Sequence, residues 1–265
     1  MTEERIDDTG FGSLRIIQRP DEFCYGVDAV LLADFTKVGP GGSVIDLGTG
    51  NGIVPLILSH KTEAAKIAGL EVREGPFSLA CRNAEMNGLN ERVEFINCDV
   101  KDVKAYLPGG SFDAVVSNPP YMACGTGIKN AGDAKTAARH ETTADLSDFV
   151  GAANYLLKDR GDFYMVHRPH RLTDIMALCR EYRLEPKEML MVSARKGGIP
   201  NILLLHCRKY GGRDLKLLEP LYVYNDDGTY SDRIMKIYER NEPELYRHPK
   251  FEKVAQSSTS DKESQ

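Results

Sequence analysis

Five consecutive residues, Ser117-Asn118-Pro119-Pro120-Tyr121, carry the chain's sharpest chemical signal. Asn118 offers an uncharged side-chain carbonyl that accepts hydrogen bonds. Pro119 and Pro120 fix φ and lack an N–H. Pro120 also biases Pro119 toward an extended conformation, so the Pro119 carbonyl becomes a second, rigid acceptor. Two fixed acceptors suit the two hydrogens of an exocyclic amine, and Tyr121 adds a flat face for stacking a base, worth about 1–3 kcal/mol in nucleic-acid complexes. The lone pair of such an amine is delocalised into its ring. Accepting both hydrogens returns electron density to nitrogen, and the gain grows as nitrogen attacks an electrophilic methyl group. Holding nitrogen in line with that methyl supplies the rest through proximity. No strong base is needed, because the proton can leave after nitrogen becomes cationic. The plainer reading is a turn closing a strand, since Asn, Pro and Tyr are ordinary loop residues.

The position of the pentapeptide argues against the plain turn. It follows Phe112-Asp113-Ala114-Val115-Val116, an apolar run that reads as a buried strand. Upstream, Val44-Ile45-Asp46-Leu47 reads as another strand and runs into Gly48-Thr49-Gly50-Asn51-Gly52. This is G-x-G-x-G, not the G-x-G-x-x-G of dinucleotide binding, and no P-loop Lys-Ser/Thr follows. The glycines permit a tight turn and close backbone approach to a ligand, and Pro55 fits the first turn of a helix over Ile53–Leu58. Glu71 ends a strand over 67–70, nineteen residues past Gly52, where a carboxylate can accept from two ribose hydroxyls. Asp99 ends a strand over 93–98 and can accept from an adenine amino group. Asp46 can fix a ligand ammonium. S-adenosylmethionine combines an ammonium, a sulfonium and ribose hydroxyls without phosphate, and it suits this set. Each carboxylate alone also reads as a solvated strand end.

These residues resemble a class I S-adenosylmethionine-dependent methyltransferase of the amino-methylating N-P-P-Y group. The closer similarity is to the bacterial family that methylates N6 of the adenine following the anticodon of a valine tRNA. It rests on Tyr25-Gly26-Val27-Asp28-Ala29-Val30-Leu31-Leu32-Ala33, on Ile45 through Gly52, on Ser117 through Tyr121, on Ala138-Arg139-His140-Glu141 and on Arg195-Lys196-Gly197-Gly198. It spans about residues 10–250 with the motifs in family order. The resemblance implies a doubly wound, Rossmann-like α/β fold with a seven-stranded methyltransferase sheet and a short N-terminal β extension. It implies a cofactor set of Tyr25, Asp28, Asp46, Gly48, Gly50, Gly52, Glu71, Asp99 and Asn118, with Asn118, Pro119 and Tyr121 at the reacting amine.

The surrounding elements read as one α/β domain over 1–250: an N-terminal extension and first helix over 1–40, a catalytic core over 41–210 and a C-terminal strand, turn and helix over 211–250. Residues 12–17 suggest an N-terminal strand leading toward Phe23 and Tyr25. Asp28 is placed to cap a helix over 29–35. Helices are expected over 76–86, 146–157 and 231–240. Strands are expected over 162–166, 188–192, 202–207 and 215–224, with a turn at Asp226-Asp227-Gly228. The Ser/Thr-rich segment over 251–265 reads as a disordered tail. There is no long apolar run and no N-terminal segment of signal-peptide type. The six cysteines (24, 81, 98, 124, 179 and 207) have no C-x-x-C spacing. Together these predict a cytoplasmic protein with reduced thiols and no zinc knuckle. Cys124 near the N-P-P-Y segment suggests cytosine-C5 chemistry, but amine methylation needs no thiol. His140-Glu141 is not followed by the second His of H-E-x-x-H, so no metal is expected.

The net charge of −5 does not advertise nucleic-acid binding. Locally, residues 195–216 hold six basic residues and one acidic residue, a net of +5. Lys129, Lys135, Arg139 and His140 follow the N-P-P-Y segment, and Arg168 and Arg171 flank His170. Lys129, Arg139, Arg168, Arg171, Arg195 and Lys196 are therefore the candidate phosphate contacts around the site, with tRNA as the partner the resemblance implies. The readings to be separated are adenine-N6 methylation of tRNA, glutamine-N5 methylation of a protein such as a release factor, small-molecule methylation, and a non-catalytic scaffold. Only about 43 residues precede Val44, where glutamine methyltransferases resemble proteins with a longer helical domain. The oligomeric state is not readable from the sequence.

Overall fold

The computed structural model describes residues 4–20, 24–121 and 144–242. Phe23, Cys124, Lys129, Lys135, Arg139, His140, Glu141 and the C-terminal segment lie outside the described residues. The described chain runs β1 (Arg5–Asp8), β2 (Arg15–Gln18), α1 (Val27–Phe35), β3 (Ser43–Leu47), α2 (Ile53–Lys61), β4 (Lys66–Glu71), α3 (Glu74–Met86), β5 (Val93–Asn97), α4 (Val103–Tyr106) and β6 (Phe112–Ser117). It continues with α5 (Leu146–Leu156), β7 (Leu157–His167), α6 (Leu172–Glu181), β8 (Leu184–Ser193), β9 (Ile202–Lys209), β10 (Lys216–Leu217), β11 (Leu221–Tyr222) and α7 (Asp232–Ile237).

The seven long strands form one sheet in the order β8-β9-β7-β6-β3-β4-β5, and β10 and β11 add in parallel to the outer edge of β8. Strands β5, β4, β3, β6 and β7 are parallel, and β9 inserts antiparallel between β7 and β8. Alternate strand residues part to opposite faces. Val44, Ile67, Ala114, Val116 and Leu204 pack with α1 and α2 on one face. Ile45, Ala68, Val115, Phe163 and Leu203 pack with α5 and α6 on the other. Both faces are covered, which is why the strands read as continuous apolar runs rather than alternating ones.

This topology sets the site. Strand β3 pairs with β4 on one side and β6 on the other, so the chain reverses its winding direction there. In open α/β sheets ligands bind outside the carboxyl ends of the strands at such a switch point. The glycine loop leaves β3 and the N-P-P-Y segment leaves β6, side by side. The Ser117 hydroxyl donates to the Leu47 carbonyl at 2.9 Å and ties the two strand ends together.

Three expectations are corrected at the periphery. The N-terminal strand begins at Arg15 and pairs antiparallel with β1, while Gly10 and Gly12 take φ of 79° and 55° in the turn between them. Asp28 does not cap α1. The helix starts at Val27 behind an extended Gly26, and Asp28 lies in its first turn. The single strand expected over 215–224 is two short pieces, β10 and β11, because Pro220 between them has no N–H for the ladder. Ser231 does cap the final helix, accepting from the Ile234 N–H. No described helix is long and apolar enough to cross a membrane.

Candidate active site

A cavity of about 470 Å³ opens at the carboxyl ends of β3, β4, β5 and β6. Its wall combines the glycine loop (Gly48 to Asn51), the strand ends at Asp46, Glu71 and Asp99, the whole of Asn118-Pro119-Pro120-Tyr121, and Arg19 and Tyr25 from the N-terminal extension. Residues predicted from five separate stretches of sequence therefore meet in one space. Gly48, Gly50 and Gly52 take φ of 75°, 58° and 83°, in the region that favours glycine. Gly52 faces the protein rather than the cavity. A Cβ there would lie 2.7 Å from the Phe95 ring.

Glu71 is buried and organises the loop. Its Oε2 accepts from the Gly50 N–H at 2.8 Å, and its Oε1 accepts from the Arg73 backbone N–H at 3.0 Å and from Arg73 Nε at 3.1 Å. The carboxylate has about four lone-pair sites and three are filled, so one ribose hydroxyl could join at Oε2 and a second would have to replace an Arg73 contact on Oε1. The Asp99 carboxylate accepts from the Lys101 N–H at 3.0 Å, which starts a 3-10 turn at the cavity edge.

Asp46 is the electrostatic oddity. It is 2% exposed, its Oδ1 has no hydrogen-bond partner among the described residues, and the neighbouring Thr49 Oγ1 is likewise unpartnered. Burial pushes the Asp46 carboxyl up to about 7; the adjacent Thr49 hydroxyl, short of a well-formed hydrogen bond, opposes the rise and the charge of Glu71 adds to it. Buried polar groups are nearly always satisfied, so the Asp46 oxygen left without a well-formed bond in the cavity wall marks a place for a ligand's donor. A cationic donor suits Asp46, and this fits the ammonium of S-adenosylmethionine.

The sequence offered no sign of Asn83 as a site residue. It is fully buried in α3. Its Nδ2 donates to the Asn51 carbonyl of the glycine loop at 2.9 Å, and its Oδ1 accepts from the Ile17 N–H at 2.7 Å. One amide thus fastens the N-terminal hairpin to the glycine loop. His167 was also missed. Burial lowers its ring to about 4, so it is neutral at pH 7. Its Nδ1 accepts from the Arg168 N–H at 2.7 Å, and its ring meets Tyr121 edge-on at 5.2 Å. Cys98 lines the cavity as well, but burial raises its thiol to about 11, which leaves it protonated and poorly nucleophilic.

The remaining predicted residues that the structure describes fall outside the cavity wall. Asp28 turns toward Tyr121, whose hydroxyl stands 2.8 Å from Asp28 Oδ2. The Arg168 guanidinium lies over the Tyr121 ring at 4.5 Å and donates to the Asn201 carbonyl at 2.9 Å. The guanidinium covers one face of that ring. Arg171 pairs with Asp174 at 2.7 Å. Arg195 and Lys196 sit in the turn between β8 and β9, with Lys196 exposed.

The sequence profile of the methyltransferase small domain matches residues 14–178. The chain belongs to that family. Among relatives of this methyltransferase is the tRNA1(Val) (adenine(37)-N6)-methyltransferase of Aeromonas hydrophila, 29% identical over 215 residues, which span 80% of this chain and 87% of the relative. The protein of the same name from Porphyromonas gingivalis is 26% identical over 75% of this chain and 88% of its own length. Among solved structures, a predicted O-methyltransferase from Agrobacterium tumefaciens superposes with a TM-score of 0.66 at 21% identity, covering 80% of this chain and 95% of that one. The methyltransferase therefore has the Rossmann-like sheet that the sequence predicted.

Proposed function

We propose that this methyltransferase transfers a methyl group from S-adenosylmethionine to the exocyclic N6 of adenine in tRNA, at the anticodon-loop adenine of a valine tRNA. The observation that carries the reading is the shared cavity: the glycine loop with its buried Asp46 and the N-P-P-Y segment line the same 470 Å³. The names of the relatives support tRNA and adenine N6 as the substrate. An anticodon-loop base can be splayed into such a cavity without breaking a duplex.

Asp46 would hold the cofactor's ammonium, Glu71 its ribose hydroxyls and Asp99 its adenine amine, with Tyr25 closing the cavity from the N-terminal side. S-adenosylmethionine supplies an electrophilic methyl when bound. Asn118 Oδ1 and the Pro119 carbonyl would accept the two hydrogens of the target amine, and the Tyr121 ring would support the base. Arg168, Arg171, Arg195 and Lys196 would meet phosphates outside the cavity, joined by Lys129 and Arg139. The enzyme acts in the cytoplasm as one catalytic domain over 1–250, with its core over 41–210.

Incubation with methyl-labelled cofactor and, separately, total tRNA or release-factor protein tests the assignment. Label in tRNA, recovered as N6-methyladenosine after nucleoside digestion, is expected. Label confined to glutamine of the protein would overturn the substrate and keep the amine chemistry.

A further inference from the structure

The Tyr121 hydroxyl has one proton, and two described side-chain oxygens compete for it. Asp28 Oδ2 stands 2.8 Å away and Asn118 Oδ1 stands 2.7 Å away. The proton can lie along only one of these lines. A carboxylate accepts more strongly than an amide carbonyl, and Asp28 is 92% buried, where that preference is not diluted by water. Its placement is fixed: Oδ1 accepts from the Ala29 N–H at 3.0 Å, and Gly26 leaves the room, since a Cβ there would lie 2.9 Å from that oxygen. Tyr121 therefore donates to Asp28.

The amide of Asn118 must then answer. Its carbonyl oxygen would face the lone pairs of the phenol oxygen at 2.7 Å, an oxygen–oxygen contact with no hydrogen between. The two branches of an asparagine amide have nearly the same shape and exchange by a half turn. After exchange, Nδ2 donates to the Tyr121 oxygen, and Oδ1 occupies the other branch, free to face the cavity that Asn118 lines.

We infer that Asp28 is a positioning residue for methyl transfer. By taking the Tyr121 proton it sets the direction of the chain Asn118 Nδ2–H to Tyr121 Oη–H to Asp28, and so presents Asn118 Oδ1 to the hydrogens of the target amine. With no carboxylate at position 28 the chain can run in reverse. Tyr121 then donates to Asn118 Oδ1, and the amide turns its own NH2 toward the substrate NH2, donor against donor. The inference rests on the reading of Asn118 as an acceptor for an amine.

The test is a double-mutant cycle on single-turnover methyl transfer to tRNA, with cofactor affinity measured alongside. Asp28→Asn keeps the shape and removes the charge. Tyr121→Phe keeps the ring and removes the relay. Each is expected to slow transfer about ten- to a hundredfold while cofactor affinity stays within about twofold. In the Tyr121→Phe background, Asp28→Asn is expected to cost nothing further, because the relay is already gone. A purely structural role for Asp28 would make the two losses multiply, and that result overturns the inference. Wild-type rates in Tyr121→Phe would overturn it too, and that variant serves if Asp28→Asn does not fold. If Asn118→Ala is slow while both relay variants are fast, only the positioning role fails. If the wild-type protein methylates no amine, the functional reading fails with it.

Discussion

Asp46→Asn isolates the most unusual charge in the cavity. Burial raises the Asp46 carboxyl from 3.8 to about 7. Near neutral pH the folded, ligand-free protein retains a proton that the unfolded chain has released. The stability this group supports is complete below about pH 4 and is lost as pH rises through 7. A displacement of about three pKa units corresponds to roughly 4 kcal/mol. An ammonium seated against the unpartnered Oδ1 acts in the opposite direction, since an opposite charge favours the ionised form. Cofactor binding must therefore expel the proton. About 3% of the carboxyl is ionised at pH 5.5 and about half at pH 7, so affinity should weaken about fifteenfold between pH 7 and pH 5.5, a range over which the ligand's amine stays largely protonated. Asp46→Asn has no proton to release, so its affinity should be weak and flat with pH. Its ligand-free melting temperature at pH 8 should not fall below the wild-type value. Calorimetry in buffers of different ionisation enthalpy reads both affinity and proton release. A wild-type affinity constant across this range, or tight binding by Asp46→Asn, would refute the pairing of Asp46 with a cation.

Glu71→Ala should weaken cofactor binding about ten- to a hundredfold by calorimetry, from lost hydrogen bonds to a charged group of about 1.5–3 kcal/mol; unchanged affinity in a folded variant would remove the ribose assignment. Asn83→Ala strands the Ile17 N–H and the Asn51 carbonyl, so chemical denaturation should show a loss of about 2–4 kcal/mol. Asn83→Asp keeps the first contact and loses the second, and should lose cofactor affinity in larger proportion than stability. Reversal of Arg195 and Lys196 to Glu should weaken tRNA binding and flatten its salt dependence without touching cofactor affinity; identical binding across a salt series would make the turn plain solvated surface.

The parts of the site carried by local pattern were legible before the structure. Strands β3 and β6 are short apolar runs buried on both faces, and each ends in residues that cannot continue a strand: the glycines after Leu47 and the prolines after Asn118. Glu71 and Asp99 were found by their place at the ends of the next two strands. What escaped was polar and long-range. Strand β1 reads Arg-Ile-Asp-Asp, with no apolar alternation to mark it, and it exists through pairing with β2. Asn83 looks like any polar residue of an amphipathic helix, and its partners lie 66 and 32 residues away. Asp28 carried the signature of a helix cap, yet its role is decided by Tyr121, 93 residues on. No sequence pattern could place the Arg168 guanidinium over the Tyr121 ring.

In the proposed mechanism Asn118 accepts a hydrogen from the reacting N6 of a tRNA adenine. Asn118→Ala removes that acceptor and leaves the glycine loop, Asp46 and Glu71 in place. Single-turnover methylation of tRNA by wild type and variant, followed by nucleoside digestion, measures the step directly. The wild-type product should be N6-methyladenosine. The variant should form it about 10²–10³ times more slowly, the scale for one preorganised contact in a transition state, with cofactor affinity within about twofold of wild type. N6-methyladenosine formed by Asn118→Ala at an undiminished rate would contradict the mechanism, and a wild-type product on any other atom of the tRNA would contradict the substrate.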